Sequence, residues 1–232
     1  MNASKIEALS LLLGQTDLQF NHRITIFLLA YPGTSTNNSH QSTLSTGTRH
    51  SFPTPANPTR GFLMPKQLLI MRHAKSSWSN AGLTDFDRPL NKRGLRVAPQ
   101  VAEFIHAQGL TPDLIVSSSA MRAKMTAQIF VDNCEGLEEK QLRLTKDFYH
   151  APSSIYLDFL NTFSEPEVDT LMFVGHNPGL EDLVETLSND WITMPTAAVA
   201  HFELTGDQWA DIHSPESVVL KNLWRPKEIH ID

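Results

Sequence analysis

Short solid apolar runs alternate with stretches of helical period along this chain, and the alternation begins only near residue 64. Gln67–Met71 is an apolar run ending in Arg-His, the pattern of a strand buried on both faces. Asn91–Gln108 places Leu95, Ala98, Val101, Ala102 and Ile105 at the helical period, with Gly109 and Pro112 as its stop. Asp113–Ser118 predicts a second buried strand, leading into a helix with Met121, Met125 and Ile129 on one face. Ser153 is placed to cap a helix whose inward side is Ile155, Phe159, Leu160 and Phe163. Thr170–Val174 predicts a third strand. The turn GHNPG follows it, and then a helix with Leu180, Leu183, Val184 and Leu187 inward. Two more strands are predicted at Ala197–Leu204 and Ser217–Leu223. Strands alternating with helices imply an α/β sheet with helices on both faces, and no internal repeat interrupts the pattern.

The first 63 residues do not share it. Residues 32–62 hold no acid, two arginines and few large apolar side chains, too little apolar surface to offset ordering entropy, so they are expected to be disordered. Two apolar runs precede them, Ala8–Leu13 and Ile24–Tyr31. Glu7 close behind Lys5, Asp17 and Arg23 between the runs, and the lack of an A-x-A-like site do not fit a secretory signal. The reading is an N-terminal extension over 1–63 and a functional domain over 64–232, located in the cytoplasm.

Charge narrows the partners. The chain carries −6 overall; residues 1–64 contribute +2, so the domain carries −8. Nucleic-acid binding rests on phosphate neutralisation, which a domain this acidic serves poorly. No apolar stretch approaches the roughly 20 residues of a membrane-spanning helix. The single cysteine, Cys134, excludes an intrachain disulfide framework and a cysteine-built zinc site. HxxxH and HExxH spacings are also absent, so no metal is expected.

Chemistry gathers at three strand ends. Arg72-His73 follows the first strand, Ser118 to Arg122 the second, and His176-Asn177 the third. Ligands of open α/β sheets bind beyond the carboxyl ends of the strands. If the strands are parallel neighbours, two arginines, two histidines and the helix starts at Ala120 and Gly179 converge on a pocket suited to a dianionic phosphoryl group. Lys75 and Ser76 are placed to touch phosphate or substrate. The block Asp85–Leu90 has two readings. As a rim element, Arg88 or Asp87 orients the first loop; as a turn with a local Asp87–Arg88 pair, it is structural, and the turn residues favour the latter. His106, His201 and His213 lack partners and read as ordinary.

The blocks IMRHAKSSW, DFDRPLNKRG, SSSAMRAKMTA and LMFVGHNPGLEDL resemble, in order, those of the histidine phosphatase superfamily, and most closely the SixA-type phosphohistidine phosphatases. The resemblance spans about residues 66–224. It implies a three-layer α/β/α sandwich of the phosphoglycerate-mutase-like kind with a mostly parallel central sheet, and no metal or organic cofactor. It also implies His73 as nucleophile, Arg72 and Arg122 as phosphate-binding and His176 as second catalytic histidine. Lys75, Ser76, Arg88 and Asn177 are expected, from their places beside these residues, as further substrate contacts. The chain departs from the wider pattern at Ala74, Ser118-Ser119 and Met125, and no residue matches the glutamate proton donor of many members. The corresponding region offers Asp147, Tyr149 and His150, none in a recognised position.

An imidazole leaving group can already be protonated, since imidazole titrates near roughly 6.5, whereas an alkoxide needs a donor. The expectation is therefore a metal-independent phosphatase acting through a phosphohistidine intermediate, with phosphohistidine in a protein as substrate. A phosphorylated metabolite or nucleotide is the alternative substrate, and a non-catalytic phosphate-binding module the alternative of another class. The sequence names neither the substrate itself nor an oligomeric state.

Overall fold

A computed structural model describes residues 65–212 and 216–231. The expectations for residues 1–63, the boundary at Met64 and the reading of His213 lie outside the described residues.

One sheet holds β1 (Gln67–Arg72), β2 (Leu114–Ser118), β3 (Leu142–Thr145), β4 (Thr170–Gly175), β5 (Val199–Leu204) and β6 (Val218–Trp224). Its order is β3-β2-β4-β1-β5-β6. The first four in that order run parallel, while β5 pairs antiparallel with β1 and β6 antiparallel with β5. The helices are α1 (Lys92–Ala107), α2 (Met121–Asn133), α3 (Ser153–Thr162) and α4 (Gly179–Ser188).

Strand β1 dictates the three layers. Leu68 and Ile70 pack on one side with Tyr156 and Leu160 of α3 and Leu180, Leu183 and Val184 of α4. Leu69 and Met71 pack on the other with Val97, Val101 and Ile105 of α1 and Phe130 of α2. A strand apolar on both faces is stable only between two helical layers. Each such side chain contributes roughly 1.5–3 kcal/mol on burial before conformational entropy is counted. Local signals set the ends of α1: Asn91 Oδ1 accepts the Gly94 N–H at 2.9 Å, and Gly109 leaves the helix at φ +74°.

Four details differ from the sequence expectation. Helix α2 fully buries Arg122, Ala123, Thr126, Ala127 and Phe130, while Met125 and Ile129 of the expected face are half-buried against the core and Met121 is exposed. The alanines let α2 approach the sheet closely, and Arg122 is drawn inward by its hydrogen bonds to Asp85 and His73. Ser153 does not cap α3; Pro152 holds the cap position, and Tyr156 with Leu160 forms the fully buried side, with Ile155, Phe159 and Phe163 half-buried against it. Leu95 is exposed while Gly94 and Val97 face inward. Strand β3 is an addition to the expected elements, because LRLT is short and, as an edge strand, only half-buried.

The sheet order also fixes the site. Strands β2, β4 and β1 are adjacent and parallel, with Arg72 opposite Gly175 and Ser117 opposite Val174. The loops that leave their carboxyl ends must meet at one edge.

Candidate active site

The loop after β1 is tied down from three directions. The His73 N–H donates to Gly175 O at 3.1 Å, and the Ala74 N–H donates to Thr126 Oγ1 at 3.0 Å. The Asn91 N–H donates to Lys75 O at 2.9 Å. A Cβ on Gly94 would lie 2.3 Å from that same carbonyl, so only glycine lets α1 begin against this loop. This is the structural sense of the NKRG tetrad.

The eight sequence candidates, Arg72, His73, Lys75, Ser76, Arg88, Arg122, His176 and Asn177, line one cavity of about 250 Å³. Trp78, Asp85, His150 and Thr196 line it too. Asp87 does not; it accepts from Thr84 Oγ1 at 2.6 Å, and Arg88 pairs with Asp85 rather than with Asp87.

His73 is 7% exposed. Its Nδ1 lies 2.7 Å from Ala74 O, so that nitrogen must carry the proton and donate, which leaves the lone pair on Nε2. Arg122 Nε donates to that Nε2 at 3.2 Å. Burial pushes the imidazole down to about 3, and the Arg122, Arg72 and Arg88 charges add to this against the Ala74 hydrogen bond. His73 is therefore neutral, with its Nε2 electron pair turned to Arg122.

Arg122, 3% exposed, is gripped by Asp85. Its Nη1 donates to the Asp85 carbonyl at 2.6 Å and its Nη2 to Asp85 Oδ2 at 3.0 Å. Tyr149 Oη donates to the same Oδ2 at 2.8 Å, and His150 Nε2 lies 3.3 Å from it. Burial raises the Asp85 carboxyl, but the Tyr149 hydrogen bond, the Arg122 charge and the His150 hydrogen bond outweigh it and hold it at about 2.

His176 stands with its ring 5.0 Å from that of His73. Its Nε2 is 2.9 Å from Ser118 Oγ, and that oxygen already accepts the Ala120 N–H at 3.3 Å, so the hydroxyl proton is free to be donated to Nε2. That leaves the proton of a neutral ring on Nδ1, which is buried and has no protein partner. Burial, then the His73 imidazole and the Arg122 charge, lower His176 to about 2 against the opposing Asp85 carboxylate.

Arg72 is anchored through Nη1, which donates to Met194 O at 2.8 Å, while Asn177 Nδ2 donates to the same carbonyl at 3.0 Å. Glu181 Oε1 in turn accepts the Met194 N–H at 2.7 Å. Burial lowers Arg72 from the ordinary guanidinium value and Glu181 opposes this. Arg88 donates through Nη2 to Ser76 Oγ at 2.8 Å and lies 3.3 Å from the ring centroid of Trp78, which is 75% exposed. Arg72 Nε and Arg88 Nη1 are buried donors without a protein partner. Buried donors of this kind call for an anionic ligand.

Sequence reasoning misses Asp85 and Trp78 and leaves Tyr149 and His150 without a role. Asp85 stands in a block that reads as a turn, and Tyr149-His150 follows a strand too short to be recognised. The helix starts also differ: neither α2 nor α4 has a side-chain cap, but the Met121 N–H donates to Phe86 O at 2.9 Å and so holds the loop rather than facing the cavity. Of the ordinary histidines, His106 bonds Thr111 Oγ1, and His201 on β5 sits between Gln67 and Asn222 against Trp224. Among the described residues no group of three or more His, Cys, Asp or Glu side chains is placed to hold a metal ion, and no helix is long and apolar enough to cross a membrane.

The family model of the histidine phosphatase superfamily (branch 1) matches residues 68–147. An uncharacterised chloroplastic protein of Arabidopsis thaliana is 30% identical over 191 residues, covering 80% of this chain and 85% of that protein. The protein assigned as phosphohistidine phosphatase SixA of Agrobacterium tumefaciens is 28% identical, with a TM-score of 0.59 over 70% of this chain and 99% of that one. The protein histidine phosphatase SixA solved with tungstate shares the fold at 18% identity, with a TM-score of 0.60 over 70% of this chain and 99% of that one.

Proposed function

This chain belongs to the histidine phosphatase superfamily and is a phosphatase, and we propose that it hydrolyses phosphohistidine in a protein, with His73 as nucleophile. The observation that carries the proposal is the neutral His73, whose Nε2 accepts from Arg122 Nε in the cavity that Arg72 also lines. In the first step Nε2 attacks phosphorus and the bond to the leaving group breaks; in the second, water attacks the phosphoenzyme and the electron pair returns to Nε2. Arg72, Arg122 and Arg88 hold the equatorial oxygens, and His176 donates through Nδ1 to one of them. Phosphoryl transfer depends chiefly on such positioning and electrostatics. Lys75, Ser76 and Asn177 complete the substrate contacts.

Two features support a phosphohistidine substrate. Among the described residues lining the cavity, Asp85 is the one carboxylate, and against burial the Tyr149 hydrogen bond and the Arg122 charge hold its carboxyl down at about 2, so it stays ionised and is useless as a proton donor at neutral pH. A leaving group no more basic than an imidazole suits a site without a carboxylic acid donor better than a sugar alkoxide. The mouth is also open, rimmed by exposed Trp78 and Lys75, which a protein surface can reach. Assaying a phosphohistidine-labelled protein beside a panel of phosphorylated metabolites tests the reading. Preference for the labelled protein supports it; preference for a metabolite overturns the substrate while leaving the phosphatase.

We assign the catalytic domain to residues 64–232 and the chain to the cytoplasm. One observation favours a second location. Residues 32–62 are acid-free and rich in serine and threonine, with Arg49 and Arg60, the composition of an organelle transit segment, and the Arabidopsis relative is chloroplastic. Fusing residues 1–63 to a fluorescent protein in a plant cell decides between plastid and cytoplasm.

A further inference from the structure

Asp85 cannot give a proton and His176 is assigned to a phosphoryl oxygen, and among the described cavity residues the geometry points to His150 as the donor. We propose that His150, oriented by Asp85, is the general acid that protonates the leaving group and then the base that takes a proton from the attacking water. The proposal rests on His73 being the nucleophile.

Three independent observations converge. First, His150 lines the cavity and stacks on His176, with ring centroids 5.7 Å apart and planes 25° from parallel. Second, its Nε2 is engaged with Asp85 Oδ2 at 3.3 Å, and Tyr149 braces it edge-on at 4.3 Å. A histidine whose one nitrogen is held by a carboxylate presents the other, here Nδ1, to a substrate; such a carboxylate fixes the ring and steadies its protonated form. Third, the backbone is shaped to put it there. His150 has φ +52°, a conformation that costs a non-glycine residue and persists only where the surroundings enforce it. Room for the loop comes from Gly179, whose Cβ, if present, would lie 1.8 Å from Ala151 O. The second glycine of GHNPG thus lets the loop carrying His150 dock against the start of α4, directly beside His176.

Protons and electrons balance across both steps. As His73 Nε2 bonds to phosphorus, the leaving atom takes the electron pair of the broken bond and the Nδ1 proton of His150. Water then attacks phosphorus, His150 Nδ1 accepts its proton, and the pair of the P–N bond returns to His73. An imidazole acid is matched to leaving groups of similar basicity, imidazoles and phenols, rather than to sugars. This deepens the substrate reading, since it supplies a proton to a histidine that arrives without one.

A leaving-group series on the full chain tests the assignment. For wild type and His150→Gln, kcat/KM is measured on aryl phosphates from dinitrophenyl to phenyl phosphate. A general acid is worth about 10²–10⁴-fold where the leaving group needs the proton. His150→Gln is expected to lose on the order of 10² on phenyl phosphate while keeping dinitrophenyl phosphate turnover within a few-fold. A loss of equal size across the series means a binding or structural role and overturns the proposal, as does no loss on any substrate. Phosphoenzyme formation on His73 is read separately in the same samples, so failure of the nucleophile assignment is distinguishable from failure of the acid.

Discussion

Asp85 holds Arg122 by two oxygens at once, the carboxylate at 3.0 Å and its own backbone carbonyl at 2.6 Å. The guanidinium fork is thereby set before any phosphate arrives, with Nε turned toward His73. Hydrogen bonds to charged groups are worth roughly 1.5–3 kcal/mol. Asp85→Ala is accordingly expected to lower kcat/KM by about 10- to 10²-fold, since 1.4 kcal/mol is tenfold. Asp85→Asn, which keeps an oxygen for the fork, should lose less. Steady-state kinetics of the two variants check this; equal activity of Asp85→Ala and wild type contradicts it.

Arg122 itself should matter more than its anchor. Arg122→Ala is expected to lose a factor on the order of 10² or more, as for removal of a preorganised donor at developing charge. Arg122→Lys should recover little, because an ammonium cannot span Asp85, His73 and a phosphoryl oxygen together. Near wild-type rates for both variants would place Arg122 outside the chemistry.

Acid should loosen the fold through its buried histidines. His73 and His176 titrate at about 3 and about 2 in the folded chain, against roughly 6.5 in an unfolded one. Between these values the unfolded state binds more protons, so stability rises with pH. The contribution is fully present above about pH 6.5 and is lost as the pH falls toward 3, by up to about 1.4 kcal/mol per pH unit for each ring. Melting temperature is expected to drop between about pH 7 and about pH 4.5, and His176→Asn should flatten the slope. A melting temperature level across that range contradicts the assignment of neutral buried rings.

Gly179→Ala tests the loop that carries Tyr149 and His150. Its methyl would meet the Ala151 carbonyl at 1.8 Å, a backbone atom that cannot swing aside. Overpacking of this kind costs about 1–3 kcal/mol. Lower thermal stability together with reduced turnover is expected. An unchanged melting curve would show that the loop yields freely.

Most of this architecture is legible in the sequence where burial is two-sided. Gln67–Arg72 and Thr170–Gly175 are solid apolar runs because helices cover both faces, and Asn91 and Gly109 bracket α1 by local chemistry alone. His73, Arg72, Arg122 and His176 fall at strand ends, so sheet order brings them together. Legibility ends where tertiary contacts override local pattern. Helix α2 turns its alanines inward because Arg122 must reach Asp85, which no periodicity reveals. Strand β3 is too short and too exposed to show, and the Tyr149-His150 loop behind it stays unplaced for that reason. Asp85 looks like a turn residue until Arg122, Tyr149 and His150 are seen around one of its oxygens.

Trapping the enzyme during turnover of labelled substrate and mapping the label shows whether His73 takes the phosphoryl group. Acid-labile, base-stable phosphate is expected on a peptide containing His73 and not on His73→Ala, which should remain folded because His73 lines the cavity and belongs to neither hydrophobic cluster. Label on a serine or an aspartate, or turnover by His73→Ala, would contradict His73 as the acceptor.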